Sequence, residues 1–166
     1  STSSLDNIIG LSNETRSTIV QFLGAANRQS KMLVIAGPIG SGKTHLAQTI
    51  TSGSTIPTTL VTSADILRSK IGETEKTLHN ILRSNKTVII EDIDKLFPAD
   101  RTDSNGSVLR CLAVFLSFVD RFGGDDRLSG GTTRDWDRVS GRIHSRSELV
   151  FLESRLAFET KLDLIT

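Results

Sequence analysis

The sequence predicts an α/β protein with a parallel sheet that is covered by helices on both faces. Two observations lead to this prediction: short continuous apolar runs recur along the chain, and segments with helical hydrophobic spacing lie between them. Strands that alternate with helices need crossover connections, and such connections make the strands parallel. A chain of 166 residues is long enough to form one domain of this kind with a substantial core.

Four strands are predicted from apolar or β-branched runs. They are KMLVIA at 31–36, TTLVT at 58–62, TVII at 87–90 and LVFLE at 149–153. Helices are predicted at about 42–51, 74–84 and 108–122, and a shorter one ends near Gly24. The segment 123–147 is rich in Gly, Arg, Asp and Ser, so it is predicted to be a flexible polar insertion with few core residues.

Bulk composition narrows the class of protein. A net charge of +1 gives no basis for predicting nucleic-acid binding. The single cysteine, Cys111, lies in an apolar run, which predicts a buried free thiol in a reducing compartment. No apolar run is long enough to predict a membrane span, and the first residues do not resemble a secretory signal. A cytoplasmic protein is therefore expected.

Residues 37–44, GPIGSGKT, match the pattern G-x-x-x-x-G-K-[ST] at every fixed position. Its glycines let the backbone turn its N–H groups toward phosphate oxygens, and the following helix adds the positive end of its dipole. Lys43 would reach the β- and γ-phosphates, and the Thr44 hydroxyl would bind Mg²⁺. ATP or ADP is the predicted ligand. The predicted binding residues are Gly37, Pro38, Ile39, Gly40, Ser41, Gly42, Lys43 and Thr44.

A second motif is VIIEDIDKL at 88–96, in which a predicted strand runs directly into Glu91 and Asp92. In phosphate-loop nucleotidases an acid at the end of a neighbouring strand holds the Mg²⁺ shell, and a second acid orients the attacking water. Glu91 is therefore predicted on the metal side together with Thr44, and Asp92 on the water side. The catalytic candidates are Lys43, Glu91 and Asp92. For Asp94, a solvated acid that caps a turn is the simpler interpretation.

With both motifs in place, the chain resembles the AAA family of ATPases, in the branch of valosin-containing protein, N-ethylmaleimide-sensitive fusion protein and peroxisomal AAA proteins. LDNIIGL resembles the segment that packs on adenine, and AGPIGSGKTHLA is similar to the GPPGTGKT loop. TSADILRSKIGETEKTLHNIL resembles the segment from the second strand through the first pore loop, which usually ends in G-E-S-E. VIIEDIDKLF is similar to the D-E-I-D segment.

The resemblance implies the three-layer P-loop NTPase fold of the large AAA subdomain, as a single domain over 1–166 that is incomplete at its C-terminus. The arginine finger and the helical lid are expected beyond Thr166. The resemblance also implies roles for further residues: Ile8 and Ile9 at the base, His45 beside the nucleotide, Lys70, Ile71 and Gly72 on the pore loop, and Ser154 or Arg155 near the polar sensor position after the fourth strand.

The implied function is a homo- or hetero-hexameric ring that couples ATP hydrolysis to the remodelling of a protein substrate or adaptor. Three departures keep alternatives open: Glu91 and Asp92 reverse the family's order of Asp then Glu, Lys70 replaces the pore aromatic, and no asparagine follows the predicted fourth strand. The second hypothesis is a nucleotide-binding structural subunit of a ring or scaffold, with weak or absent hydrolysis. A small-molecule kinase is the third, although no acceptor site or lid arginine is evident for it.

Overall fold

The computed structural model describes residues 11–24, 31–53, 58–68, 73–84, 87–99, 106–122 and 128–153. The helices in these ranges are α1 (Asn13–Gly24), α2 (Lys43–Gly53), α3 (Ser63–Leu67), α4 (Thr74–Ser84), α5 (Ile93–Leu96), α6 (Ser107–Phe122) and α7 (Gly141–His144). The strands are β1 (Met32–Ala36), β2 (Thr58–Thr62), β3 (Thr87–Glu91), β4 (Leu128–Thr133) and β5 (Ser147–Phe151). A 3₁₀ helix, Trp136–Arg138, precedes α7.

The five strands form one sheet in the order β2-β3-β4-β1-β5, and every neighbouring pair is parallel. The register is continuous across the centre, because Ala36 at the end of β1 pairs with Thr133 on one side and Phe151 on the other. The carboxyl ends of these strands therefore lie at one edge of the sheet. The predicted α/β fold, a parallel sheet flanked by helices in three layers, is confirmed.

Both faces of the central strands are buried, in two separate apolar clusters. Val34 and Ile90 face the cluster formed with helices α4, α5 and α6. Leu33 and Ile89 face the other cluster, which includes side chains of α1 and α2. A strand that is covered on both faces has a continuous apolar sequence, and all five residues of β1 are buried. This packing explains why the apolar runs predicted β1 and β3.

β4 corrects the interpretation of 123–147. It lies at the centre of the sheet, between β1 and β3, although its sequence is LSGGTT. A Cβ added to Gly130 would lie 2.7 Å from the carbonyl oxygen of Leu33, and one added to Gly131 would lie 2.5 Å from Cγ2 of Ile93. The apolar bulk at this position thus comes from the neighbouring elements. The expectation of a flexible polar insertion is wrong for residues 128–147, because β4 lies inside the sheet and Val139 and Ile143 lie in the core.

The rest of that segment is also packed. Val139 and Ile143 are buried, and the ring of Trp136 stacks on the ring of His144 with centroids 3.8 Å apart and an interplanar angle of 5°. Backbone bonds tie residues 97–99 to residues 138–140 around the antiparallel bridge between Pro98 and Val139. The strand predicted at 149–153 is the fifth strand instead of the fourth. It begins at Ser147 and forms an edge of the sheet.

The predicted helices at 74–84 and 108–122 correspond to α4 and α6. Cys111, on α6, is buried as a free thiol, and burial raises its pKa. An ion pair between Arg110 and Glu75, at 3.2 Å, joins the exposed sides of the two helices. Within the described part of the chain, no helix combines the length and apolar character that crossing a membrane requires.

Candidate nucleotide site

The glycine-rich loop begins where β1 ends, and both neighbouring strands hold its start. The N–H of Gly37 donates to the carbonyl oxygen of Thr133, at the end of β4, with a distance of 3.1 Å. On the other side the N–H of Leu152, just beyond β5, donates to the carbonyl oxygen of Ala36 at 2.8 Å. The loop therefore starts from a fixed position in the middle of the carboxyl edge of the sheet.

The loop then turns through two left-handed glycines and enters α2. Gly40 has φ of 79° and Gly42 has φ of 92°, a region that side chains disfavour. The helix starts at Lys43, and the N–H of Leu46 already donates to the carbonyl oxygen of Gly42. The tip of the loop is open to solvent, since Ile39 is 74% exposed. This geometry presents backbone N–H groups and the amino end of α2 at one exposed surface.

Lys43 is folded back onto the loop. Its Nζ donates to the carbonyl oxygens of Gly37, at 2.7 Å, and Pro38, at 2.9 Å. Burial lowers the pKa of this ammonium below its ordinary value; the Asp92 carboxylate raises it, and the nearby charge of Arg134 lowers it further. Both hydrogen-bond acceptors are neutral carbonyls. Lys43 thus makes two hydrogen bonds to neutral carbonyls and no direct ion pair with a described residue.

An open pocket of about 400 Å³ lies over the first turns of α2. Its lining residues are Gly40, Gly42, Lys43, Thr44, His45 and Gln48. Thr44 and His45, which were predicted from the motif and from the resemblance, are exposed beside it. Gln48 was missed by the sequence reasoning. Helical periodicity could have found it, because it lies four residues after Thr44 and residues four apart share one face of a helix.

The two acids lie at the end of β3. Glu91 is the last residue of that strand, and its Oε1 is buried without a hydrogen-bond partner among the described residues. Asp92 comes next in the left-handed conformation, with φ of 59° and ψ of 49°, and it is the one non-glycine residue of the described ranges with a positive φ. The chain turns sharply at Asp92, and α5 begins immediately after it.

Contacts from α3 and from β4 fix the backbone at this turn. The buried hydroxyl of Ser63 lies 2.8 Å from the carbonyl oxygen of Glu91 and 2.8 Å from that of Asp92. On the opposite side, the N–H of Asp92 donates to Oγ1 of Thr132, at 3.3 Å. Both peptide groups around Asp92 are therefore held by side chains that are distant in sequence, and neither contact follows from any motif.

The end of β4 supplies a polar side chain beside the acids. The hydroxyl of Thr133, which is fully buried, lies 3.0 Å from Oδ1 of Asp94 and accepts a hydrogen bond from the N–H of Asp135 at 3.2 Å. Asp94 is thus half-buried and bonded, which corrects the interpretation of a solvated cap. β4, which is paired with β1, thus ends in two polar residues, Thr132 and Thr133.

Several predicted positions lie outside the described residues. They are Ile8 and Ile9 for the base, Lys70, Ile71 and Gly72 for the pore loop, and Ser154 and Arg155 for the sensor position. Among the described residues, the fold brings Lys43, Glu91 and Asp92 to one edge of the sheet, although they lie on two separate strand ends. Coulombic coupling of the Lys43 ammonium to both carboxylates is consistent with this proximity.

Comparison with known proteins agrees with this geometry. The sequence model of the family described as "ATPase family associated with various cellular activities (AAA)" matches residues 32–154. The chain belongs to the AAA family. The match extends from the first residue of β1 to just beyond β5, so the five strands in the described ranges of this AAA domain lie inside it. Membership of the family implies nucleotide binding.

Two individual relatives share the family or the fold at low sequence identity. This AAA domain is 28% identical over 97 residues to the ATPase family gene 2 protein of Saccharomyces cerevisiae, a match that covers 55% of this chain and 12% of that protein. A chain of the E. coli MS115-1 HORMA:CdnC:Trip13 complex has the same fold, with a TM-score of 0.71 and 16% identity, over 90% of this chain and 64% of that one. The domain therefore spans only a part of each of these relatives.

Proposed function

We propose that this chain is the ATP-binding AAA domain of an oligomeric protein-remodelling ATPase of the valosin-containing protein type. The observation that supports this most directly is the convergence of a glycine-rich loop, a lysine and two acids at the carboxyl edge of a parallel sheet. Ligands of open α/β sheets bind at this edge. The family of the chain supports the same proposal.

The residues of the loop suit a nucleotide phosphate. Backbone N–H groups at the tip and at the amino end of α2 would donate hydrogen bonds to phosphate oxygens. The Lys43 ammonium would exchange its two neutral carbonyl acceptors, on Gly37 and Pro38, for β- and γ-phosphate oxygens. Gln48 and His45 would line the side of the nucleotide that faces α2.

The same site fits a magnesium ion. The exposed hydroxyl of Thr44 and the buried Oε1 of Glu91, which has no partner among the described residues, are oxygen ligands of the type that Mg²⁺ prefers. When bound, the ion would neutralise charge on the β- and γ-phosphates. A buried carboxylate oxygen without a donor is costly unless a cation or proton satisfies it, so Glu91 suits the metal side.

The order of the acids favours slow hydrolysis. Aspartate is one carbon shorter than glutamate, so the Asp92 carboxylate would fall short of the water by about 1 Å, and such a misplacement costs on the order of a hundredfold in rate. A shift of the backbone could compensate. The contacts of Ser63 and Thr132 to the peptide groups of Asp92 oppose such a shift. A nucleotide-binding structural subunit with little turnover is therefore the second candidate function.

The proposed partners are other AAA subunits, in a homo- or hetero-hexameric ring, and a protein substrate or adaptor. The E. coli structure that shares the fold is itself a complex with other named proteins, which supports an adaptor. Lys70 at the pore position favours a hetero-oligomer, because a lysine must keep its ammonium solvated whereas an aromatic can grip an extended chain. A cytoplasmic location stays a prediction.

The experiment compares nucleotide binding by calorimetry with single-site turnover in the native protein and in Asp92→Glu and Asp92→Asn. We expect the native protein to bind Mg·ATP and to hydrolyse it slowly, and Asp92→Glu to accelerate turnover by about 10- to 100-fold. Absence of nucleotide binding by the native protein would refute the proposal as a whole. Brisk native turnover that Asp92→Asn abolishes would eliminate the structural-subunit alternative and retain the ATPase.

A further inference from the structure

Ser63 makes a contact that the proposed chemistry does not yet use. Its side chain is fully buried, and its Oγ lies 2.8 Å from each of two carbonyl oxygens, those of Glu91 and Asp92. A hydroxyl carries a single proton, so the two contacts form one three-centre hydrogen bond. The two acceptors belong to the two acids of the site. Ser63 itself lies 29 residues before Asp92 in the chain.

The backbone at Asp92 needs such a contact. A non-glycine residue in the left-handed region is less stable than in the ordinary regions unless its surroundings hold it there. Here the Asp92 carbonyl accepts from the Ser63 hydroxyl at 2.8 Å and from the N–H of Lys95 at 3.0 Å, and the Asp92 N–H donates to Thr132. Without the hydroxyl of Ser63, the carbonyls of Glu91 and Asp92 would lose this shared donor, and the Asp92 carbonyl would keep only its local bond from Lys95. The turn at Asp92 would lose its tie to α3 and be freer to relax.

We propose that Ser63 is a positioning residue for the acid pair, because its hydroxyl fixes the left-handed turn that aims the carboxylates of Glu91 and Asp92 at the nucleotide. The functional part rests on the proposed ATP site, whereas the structural part does not. The register between β2 and β3 brings Ser63 next to the two acids. Thr62, the last residue of β2, pairs with Glu91, so the next residue of the chain meets the carbonyls of Glu91 and Asp92 at the end of β3.

Thr62 provides a matched control for this proposal. Its hydroxyl accepts a hydrogen bond from the N–H of Asp65 at 3.1 Å and thereby caps α3, the helix on which Ser63 is the first residue. Thr62→Ala would loosen the start of α3 and leave the hydroxyl of Ser63 in place. Ser63→Ala would remove that hydroxyl and leave the cap. The two variants therefore separate a loose helix from a released acid turn.

The first test measures amide hydrogen exchange, resolved by residue, in the full chain without nucleotide. The hydrogen bond from the Asp92 amide to Thr132 should open more often once Ser63 no longer holds the adjoining peptide. We expect Ser63→Ala to speed exchange of the Asp92 amide by about tenfold, and Thr62→Ala to leave it within about twofold of native. Equal acceleration in the two variants, or none in Ser63→Ala, would overturn the proposal.

Ser63→Cys is a second variant for the case in which Ser63→Ala does not fold. It keeps a side chain of similar size but offers a much weaker donor. The expected exchange at Asp92 is therefore between native and Ser63→Ala. A native exchange rate at Asp92 in a folded Ser63→Cys variant would show that the space is filled but no hydrogen bond is needed, which would overturn the role of the hydroxyl.

The second test measures turnover, in whichever of the native protein and Asp92→Glu hydrolyses ATP faster. Adding Ser63→Ala should lower kcat by about tenfold or more with KM for ATP within about twofold, because the loop that binds phosphate is untouched. A rise in KM with unchanged kcat would contradict a positioning role. Where neither protein hydrolyses ATP, the exchange comparison alone decides. Failure of the native protein to bind ATP would refute the proposed function and leave the exchange result standing.

Discussion

β1 and β4 lie side by side at the centre of the sheet, and both end at the candidate nucleotide site, yet their compositions are opposite. β1 is MLVIA, and each of its residues is buried among side chains of helices on both faces. β4 is LSGGTT, and its two glycines leave room for the Leu33 carbonyl and for Ile93. β1 fills the core with its own side chains, whereas β4 lacks side chains at Gly130 and Gly131, and neighbouring atoms occupy that volume.

The difference shows that a central strand need not be apolar when its neighbours are. Close packing limits the total volume between the layers, so large residues on β1, β3 and α5 require small ones between them. The threonines at the end of β4 serve the site, since Thr132 and Thr133 bond the turn at Asp92 and the carboxylate of Asp94. β1 thus provides the loop for the phosphate, and β4 provides the support for the acids.

The largest expected effect tests the β1 side. Lys43→Ala removes the cation that would meet the β- and γ-phosphates, and a hydrogen bond of a charged group is worth roughly 1.5–3 kcal/mol. ATP affinity, measured by calorimetry, should fall by about 10- to 100-fold or more. The control is Lys76→Ala, an exposed lysine on α4. Equal ATP affinities in the two variants would show that Lys43 does not contact the nucleotide. The role of the loop after β1 in phosphate binding would then be wrong.

The second prediction tests whether the small size of β4 is required. In Gly131→Ala the new methyl would meet Ile93 Cγ2 at 2.5 Å, and overpacking of this kind costs about 1–3 kcal/mol in the free energy of unfolding. Gly141→Ala is the control, since an added Cβ there meets nothing within 4 Å and its effect should be neutral or slightly stabilising. Denaturant unfolding measures both.

A double-variant cycle sharpens this result. If the contact with Ile93 causes the loss, Gly131→Ala should cost less in an Ile93→Ala background, because the clashing carbon atoms are gone. Additive effects of the two substitutions would place the cause elsewhere, and a cost of Gly131→Ala below about 0.5 kcal/mol would show that β4 tolerates bulk.

The third prediction concerns the polar end of β4. Thr133→Val keeps the shape of the side chain but removes the part-buried hydroxyl that bonds the carboxylate of Asp94 and the N–H of Asp135. An unsatisfied buried polar group costs roughly 1–3 kcal/mol, and we expect a loss of about 1–2 kcal/mol in stability. Thr133→Ser retains the hydroxyl and should recover most of it. Equal losses in the two variants would assign the effect to the methyl group instead.

The smallest effect tests the far end of β1. The N–H groups of Lys31 and Met32 donate to the carbonyl oxygen of Arg146, whose guanidinium binds both oxygens of Asp120 at 2.7 Å and 3.0 Å. The hydrogen bond from Arg146 holds the pKa of the Asp120 carboxyl below its ordinary value. A depressed pKa stabilises the fold above the unfolded-state value of about 3.9, and the contribution is lost as pH falls through the folded-state pKa.

Asp120→Asn should therefore lower the free energy of unfolding by about 0.5–1 kcal/mol at neutral pH, since Asp120 is 48% exposed and the pair is screened. The deficit should shrink below about pH 4 as the native carboxyl takes up its proton. Arg146→Lys keeps the charge but cannot make both hydrogen bonds to Asp120. Its free energy of unfolding should lie between those of the native protein and Asp120→Asn. A deficit that is constant down to pH 2 would exclude the ion pair as its source.

The sequence by itself determined β1, β2, β3, α4 and α6, because each has an apolar pattern that its own residues display. It also located the loop at 37–44 and the acids at the end of β3, since both are local motifs whose spacing is set by the chemistry of phosphate and Mg²⁺. A central strand without apolar side chains carries no such pattern. One signal was available: a structureless stretch of some 25 residues inside a compact domain is uncommon and argues against the assignment.

Only the tertiary structure decided what stands next to the acids. Ser63 and Thr132 lie 29 and 40 residues from Asp92 in the chain, and they meet it because parallel strands bring their carboxyl ends to one edge. The left-handed turn at Asp92 and the small residues of β4 likewise depend on neighbours from other elements. A pattern in sequence records what a residue's own element requires, whereas packing and hydrogen bonding between elements depend on which strands become adjacent.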